Sequence, residues 1–447
     1  MKKLNNIFAA ASVFVLTALL LAGCGSSAGA VTESEFISVN DTPMGWASYT
    51  GSKDLAGNAN AAPSAAGTNG GAGAQTVITV TNRSELFDAL KKGRSRIIYV
   101  KGLIDVTDTG SGSLIPSIVD GTTPGLDAFI KENTAGSVLP AENYKDWKIK
   151  YTKTFNYTED QYGPVAELRD SLNEKWRALI SLDVKSNTTI IGLDGDAQIR
   201  GGSWNIKGAK NVVIRNLTIS DCYNPFPEIE DSDGLNALFD CIAIQKSKYV
   251  WIDHCTLYSS FSREDIEQDK YETKDNRDVK WQVYDGLLDI TNTNDFVTVS
   301  WCILRNHDKT MLIGNSDKKV EDINHQTITL HHNWYDSCKQ RLPFVRFATI
   351  HIYNNLYTNQ TGTGIDRRKD CRIYSENNCF EEAARSITPN TNGSLYDTGS
   401  INIKTDNLSK SPEWKPSDYY KYSAEPAKTV KNSVMSGAGA GKLTVKM

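Results

Sequence analysis

The 447-residue sequence predicts an all-β chain wound as a right-handed parallel β-helix, with a short N-terminal capping helix and long loop insertions. Three observations lead there. Strand-like segments recur from Ser186 onward, beginning at Thr189, Val212, Val250, Val297, Ile328, Ile350 and Ile373, at intervals of 23, 38, 47, 31, 22 and 23. The base period is therefore about 22 residues, interrupted by three insertions. Five residues into these segments the sequence reads Cys255, Cys302, Asn333, Asn355 and Asn378, and two residues further on Leu257, Leu304, Tyr335, Tyr357 and Phe380. Alternate residues of a strand point the same way, so these are two inward-facing columns stacked through successive coils. The segments alternate with period two rather than 3.6, which excludes helix-turn-helix repeats.

Taken from its start, the chain opens with Lys2 and Lys3, an apolar run from Ile7 to Leu21, then Leu21-Ala22-Gly23-Cys24. The run is shorter than the roughly 20 apolar residues of a membrane span. Its ending resembles a bacterial lipobox, whose cysteine becomes the lipidated first residue of the mature protein. Residues 1–23 are thus expected to be a lipoprotein signal peptide, with Cys24 as the lipidation site. Export follows, with the chain lipid-anchored at the cell surface or outer membrane, or secreted. Residues 24–44, rich in Gly, Ser and Ala, read as a tether. A single domain spanning 45–447 begins near Gly45-Trp46-Ala47.

Inside the domain Thr76 to Val80 alternates like a strand. Asn82-Arg83-Ser84 then caps a short helix that ends at Gly93, and Arg96 to Gly102 reads as a strand again. Residues 106–178 are polar and weakly periodic, with turn signals at Pro116, Gly121, Pro124 and Gly125, and read as an inserted loop region that is functional or carries its own structure, with no fold assigned. Beyond Cys24 there are seven cysteines, an odd number without C-x-x-C spacing, so small buried residues are expected rather than a metal knuckle. The formal charge of -4 is nearly balanced. No global field recruits a polyanion, so a nucleic-acid partner is not expected and any acidic ligand must meet a local basic cluster. A monomer is expected.

That cluster emerges when residues are counted back from the following strand start. Asp240 falls at minus 10, Asp285 at minus 12, Asp289 at minus 8 and Arg341 at minus 9. Lys309 joins them if the extra residues of its interval lie in the polar run Ser316 to Asn324. Four segments distant in sequence so form nearly one column, spanning roughly 15 Å at the spacing of neighbouring strands. The three aspartates offer hard oxygen ligands suited to Ca²⁺ rather than to zinc or copper. In a straight strand Asp285 and Asp289 lie about 13 Å apart, so sharing an ion requires a turn, which Gly286 can supply. Lys309, Arg341 and Arg346 form the basic part, with Pro343 between the two arginines. His331-His332 resembles a metal pair, but adjacent strand residues face opposite ways, so a shared zinc is not expected.

The stretches Tyr284 to Ile290, Asn306 to Gly314 and Arg341 to Arg346 together resemble the pectate lyase family, polysaccharide lyase family one. The last of them matches the family's Arg-x-Pro-x-x-Arg motif. Gly45-Trp46-Ala47 with Gly67 to Gly71, Trp251-Ile252-Asp253-His254, and Gly437 to Lys442 extend the resemblance from Gly45 to the end. It implies Ca²⁺-dependent β-elimination of polygalacturonate. In that scheme Asp240, Asp285 and Asp289 bind Ca²⁺, Lys309 neutralises the sugar's C6 carboxylate, Arg341 removes the C5 proton and Arg346 holds substrate. Since a guanidinium is seldom neutral, that role leans on neighbouring cations and on alkaline pH. A further acidic ligand usually lies two residues before the position of Asp240, and here that place holds Leu238. His254 is expected to serve structure. Two other readings remain. A pectin lyase acting on methyl esters needs no cation and lacks the pair matched by Asp285 and Asp289. A non-catalytic surface β-helix binding acidic glycan has no reason to align Asp289, Lys309 and Arg341.

Overall fold

Val212, Val250, Val297, Ile328, Ile350 and Ile373 lie directly opposite one another in one continuous parallel ladder. The computed structural model describes residues 36–445 apart from 39, 54, 58–60, 155–161, 231–233, 262–269, 389–391 and 406. Residues 1–35, with the predicted signal peptide and Cys24, lie outside that set. Thr188, not Thr189, stands level with Val212, so the first rung is displaced by one residue from the sequence alignment. Two adjacent threonines leave a β-pattern no means of telling which begins the rung. The ladder also runs further at both ends, through Arg96 and Thr76 on one side and Leu395 on the other.

Each coil visits three parallel sheets of ten, eight and seven strands in turn. Lys248–Asp253 lies in the first, Thr256–Tyr258 in the second and Leu288–Thr291 in the third, before Asp295–Ser300 returns to the first. At the corner between the first two sheets the backbone is left-handed in every one of seven successive coils, at Asn216, His254, Trp301, His332, Asn354, Asn377 and Gly399. Asparagine and glycine accept that conformation readily, whereas histidine and tryptophan adopt it only where tertiary packing dictates.

Immediately after that corner stands the asparagine column. The Cys302 N–H donates to Asn333 Oδ1 at 3.0 Å, Asn333 N–H to Asn355 Oδ1 at 2.9 Å, and Asn355 N–H to Asn378 Oδ1 at 2.9 Å. The Ser400 hydroxyl closes the series by accepting from Asn378 N–H. Beside it Tyr335, Tyr357 and Phe380 stack with centroids 4.9 and 4.4 Å apart. Both columns point inward as the repeat predicts, and all their members are buried. The seven cysteines Cys222 to Cys379 are buried and free, filling space as small apolar residues.

Three long segments leave from one place, the junction where the eight-stranded sheet hands over to the seven-stranded one, whereas the extra residues of the 31-residue interval follow Leu312–Ile313. The three segments follow Leu103–Asp105, Thr218–Ser220 and Thr256–Tyr258. The first, residues 106–178, carries structure of its own, with helices at Pro124–Thr134, Tyr144–Thr152 and Pro164–Ile180. Pro124 and Pro164 occupy the first helical turn, where a missing N–H costs nothing, and there proline opens a helix rather than signalling a loop. The buried face of Pro164–Ile180 includes Arg169 and Asn173 as well as Leu172, Trp176 and Ile180, so its apolar period is broken. Those polar residues reach the second insertion. Asn173 Nδ2 donates to the Phe226 carbonyl and Trp176 Nε1 to that of Tyr223, each at 2.7 Å, and Arg169 faces Glu228.

The N-terminal cap agrees with its sequence: Arg83–Lys91 is helical, and the Asn82 side chain accepts from Glu85 N–H. Helix Ala427–Gly437 covers the eight-stranded sheet with Val430, Val434 and Ala438. Phe36–Ile37 pairs with Thr444–Val445, and Asp41 Oδ2 lies 2.7 Å from Arg215 Nη1, so part of the stretch read as tether joins the body. No described helix is long and apolar enough to cross a membrane.

Candidate active site

Asp240, Asp285, Asp289, Lys309 and Arg341 gather on the junction that carries the insertions, while Arg346 lies past the seven-stranded sheet's strand Phe344–Val345. Asp240 lies two residues before the rung Ile242–Gln245, and Asp289 lies on the next coil opposite Ala243. Lys309 ends the strand Ile303–Lys309 on the coil after that, opposite Gln340, so Arg341 is one residue out of step with it. Arg341 is itself left-handed, and its carbonyl accepts from Met311 N–H at 2.9 Å. The polar run after Gly314 does absorb the extra residues of the Lys309 coil, as a loop with a short 3₁₀ turn at Val320–Asp322.

Gly286, one residue before a bend at Leu287, brings the carboxylates together. It is not among the left-handed glycines. Its N–H donates to Asp240 Oδ1 at 3.0 Å, and a methyl group in its place would lie 2.5 Å from Asp289 Oδ1 and 2.7 Å from Asp240 Oδ1. The two oxygens can therefore be no farther apart than the sum of those distances, and only glycine leaves them room. Asp289 also accepts from Leu312 N–H on the following coil at 2.9 Å.

The electrostatics show what this gathering costs. Burial, then the charge of Asp285, pushes the Asp289 carboxyl up to about 7, against the opposing pull of Leu312 N–H, Arg341 and Lys309. Asp240 is driven well above the carboxylate range by burial and then by Asp289 and Asp285, with Gly286 N–H offsetting part. Hard oxygens that repel one another in a half-dry site are matched to a divalent cation of the Ca²⁺ type. Among the described residues no group of three or more His, Cys, Asp or Glu stands ready-made to hold a metal ion. Leu238, partly buried against the core, adds no oxygen.

Lys309 is buried, at 4% exposure, and its ammonium donates to Asn236 Oδ1 at 2.6 Å while lying 3.9 Å from Asp285 Oδ1. Asn236 carries no sequence signal, since its reach depends on a hairpin formed by Glu228–Glu230 and Gly234–Asn236. His307 is a second residue that sequence reasoning passed over. Burial pulls its pKa down to about 4, so it is neutral, with Nε2 donating to the Asp285 carbonyl at 2.6 Å and Nδ1 accepting from the Ser259 hydroxyl at 2.8 Å. It fixes the backbone from which the Asp285 carboxylate springs.

At the other end of the groove the Phe344 ring is flanked by three guanidinium groups, those of Arg341, Arg346 and Arg368, at 5.9, 4.3 and 4.8 Å from its centroid. Arg346 is engaged by Asp317 at 2.5 Å and by the carbonyls of Gly314 and Asn315. Arg368, 3.8 Å from Asp366, is an arginine the motif did not include.

His254 serves structure. Its Nδ1 pairs with Asp253 at 2.8 Å, its ring stacks on Trp301 of the next coil, and Asp253 also binds Arg215 and Ser300. His331 and His332 do not face opposite ways, because the left-handed corner at His332 brings the two Nδ1 atoms to 2.9 Å.

Residues 151–443 match the family model described as Pectate lyase. Fold and site thus define a class, a polysaccharide lyase built on a parallel β-helix. A pectate lyase of Bacillus subtilis (strain 168) is 33% identical over 440 residues, covering 90% of this chain and 96% of the relative. Pectate lyase A of Dickeya chrysanthemi is 29% identical, with 99% of both chains aligned. Among solved structures, a mutant Bacillus subtilis pectate lyase superposes with a TM-score of 0.67 at 29% identity, covering 93% of this chain and all of that one. A pectate lyase from Acidovorax avenae subsp citrulli reaches 0.76 at 24% identity, covering 95% of this chain and 100% of that one, a likeness of fold. The chain belongs to the pectate lyase family.

Proposed function

We propose that this protein cleaves α-1,4-polygalacturonate by Ca²⁺-dependent β-elimination, releasing unsaturated oligogalacturonates, while held to the cell envelope through a lipid on Cys24. One observation carries the reading: Asp240 and Asp289 converge over Gly286, with Lys309 and Arg341 on the adjoining coils. Asp240, Asp285 and Asp289 would hold the cation. When bound, Ca²⁺ would supply positive charge against the C6 carboxylate and so make the C5 proton more acidic. Lys309 meets the same carboxylate from a buried position, where its charge is little screened. Arg341 in its neutral form receives the C5 proton, the electron pair forms the C4–C5 double bond, and the C4 oxygen leaves with the departing chain, taking a proton from water. Arg346 exchanges its exposed partner Asp317 for a substrate carboxylate.

The test follows ultraviolet absorbance of the unsaturated product on polygalacturonate with and without a chelator, beside highly methylated pectin. Activity on polygalacturonate that chelation abolishes and Ca²⁺ restores is expected. Activity confined to methylated pectin and indifferent to chelator favours a pectin lyase, and none on either substrate favours a glycan-binding surface protein. In Ca²⁺ titrations affinity should rise as pH climbs through about 7, because the cation binds the ionised form of Asp289, whose pKa is raised.

Localisation has its own test. Cys24→Ser should move the protein from the membrane fraction to the soluble one with activity intact. Retention in the membrane fraction would refute the anchor.

A further inference from the structure

We propose that Asn236 is a positioning residue for Lys309, fixing the ammonium in the groove while leaving its charge available to an incoming uronate carboxylate. The inference rests on the role proposed above for Lys309. Asn236 Oδ1 accepts from Lys309 Nζ at 2.6 Å, and the two residues are 5% and 4% exposed. Asp285, at 3.9 Å, is too far for a full hydrogen bond. A lysine is a point charge on a flexible stem, and a catalytic cation must wait in place rather than search. An amide oxygen provides that restraint without cancelling the charge, which a carboxylate in its place would do.

The support behind Asn236 is unusually firm for an insertion. Asn236 pairs with Glu228 across the hairpin, and Leu235 beside it is fully buried and bridges to Trp281. Gln282 N–H donates to the Leu235 carbonyl at 3.0 Å, and Trp281 Nε1 donates to Tyr144 OH at 2.8 Å, which ties this hairpin to the first insertion. From the opposite side helix Pro164–Ile180 grips Tyr223 and Phe226, the residues that lead into the hairpin. All three insertions thus converge on the backbone that presents this one side chain to Lys309, as a preorganised site requires.

The experiment is steady-state kinetics of the full chain on polygalacturonate with saturating Ca²⁺, using Asn236→Leu, Lys309→Met, the double variant and Asn236→Asp. Asn236→Leu should lower kcat at least ~10-fold with KM little changed. Lys309→Met should be slower still, and the double variant no slower than Lys309→Met, because the two residues act as one unit. Asn236→Asp, near-isosteric, should keep the parent's melting temperature yet lose at least ~10-fold in kcat by pairing off the ammonium; it carries the test if Asn236→Leu does not fold. Parent-like kcat in Asn236→Leu or Asn236→Asp beside a slow Lys309→Met overturns the positioning role and leaves the reading of Lys309 intact. A double variant slower than Lys309→Met by the full Asn236→Leu factor makes Asn236 merely structural. If Lys309→Met itself keeps kcat, the reading of Lys309 falls and this inference falls with it.

Discussion

Arg341→Lys should lower kcat by at least ~10³-fold with KM little changed, in the range expected when a general base or an essential transition-state contact is lost. The substitution keeps a positive charge at the end of the Trp334–Gln340 strand, so long-range attraction for a polyanion survives. What it removes is the planar fork, held where the left-handed backbone at residue 341 turns it from the strand toward the groove beside Lys309 and Asp289. Lysine is one bond shorter and ends in a single ammonium, so it cannot present a nitrogen at the same point. Arg346→Lys provides the contrast. It forfeits contacts with Asp317 and two carbonyls, so its effect should fall on KM at least as much as on kcat, as for a group that grips substrate in the ground state too. Should Arg341→Lys stay within about tenfold of the parent kcat while KM rises, proton removal belongs to another residue.

The second large effect is on the fold. Asn355→Leu should destabilise the protein by about 3–5 kcal/mol, read as a shift in denaturant midpoint or melting temperature. Asn355 Oδ1 accepts from both the backbone N–H and the side-chain amide of Asn333, and its own amide donates to the carbonyls of Leu330 and Tyr353. Leucine has the same branching and heavy-atom count, is bulkier, and satisfies none of these groups, all of them buried away from water. Each orphaned donor or acceptor costs about 1–3 kcal/mol, and two or three such groups, discounted for relaxation, reach the stated figure. Asn355→Ser should cost less, because a hydroxyl already accepts from the ladder at Ser400. Unchanged stability in the leucine variant would remove the ladder from the forces that hold the coils together.

The columns were legible because a solenoid repeats its solution: the same geometry selects Asn at residues 333, 355 and 378, and the repetition makes the choice visible. The aspartates, Lys309 and Arg341 were legible for a related reason, since counting from rung to rung places them on one junction. What escaped has a physical cause in each case. The helices of the first insertion place Arg169 and Asn173 on their buried face, because that face meets backbone carbonyls as well as apolar core, and a hydrophobic period cannot register such a surface. Gly286 was read only for the turn it allows, because glycine's freedom of rotation is its commoner use. Its role is to be small, and the crowding that requires it comes from residues 46 positions earlier and three later. Asn236 answers to a lysine 73 residues away through a hairpin with no repeat of its own. The histidine pair was misread because alternation along a strand fails at the corner where His332 turns left-handed.

That corner, occupied in turn by Asn216, His254, Trp301, His332, Asn354, Asn377 and Gly399, acts as an origin from which each coil measures its own residues. The inward residue that follows it, asparagine or cysteine in five of the seven coils, is placed by the turn just made, whatever length of chain was spent in the previous coil. Material inserted at the distant junction between the eight- and seven-stranded sheets is therefore silent to the register. The same material inserted between a corner and its next residue would shift every column above it. A coil of this kind can vary its groove freely at one edge while its interior tolerates almost nothing, and the two demands never meet in the same residue.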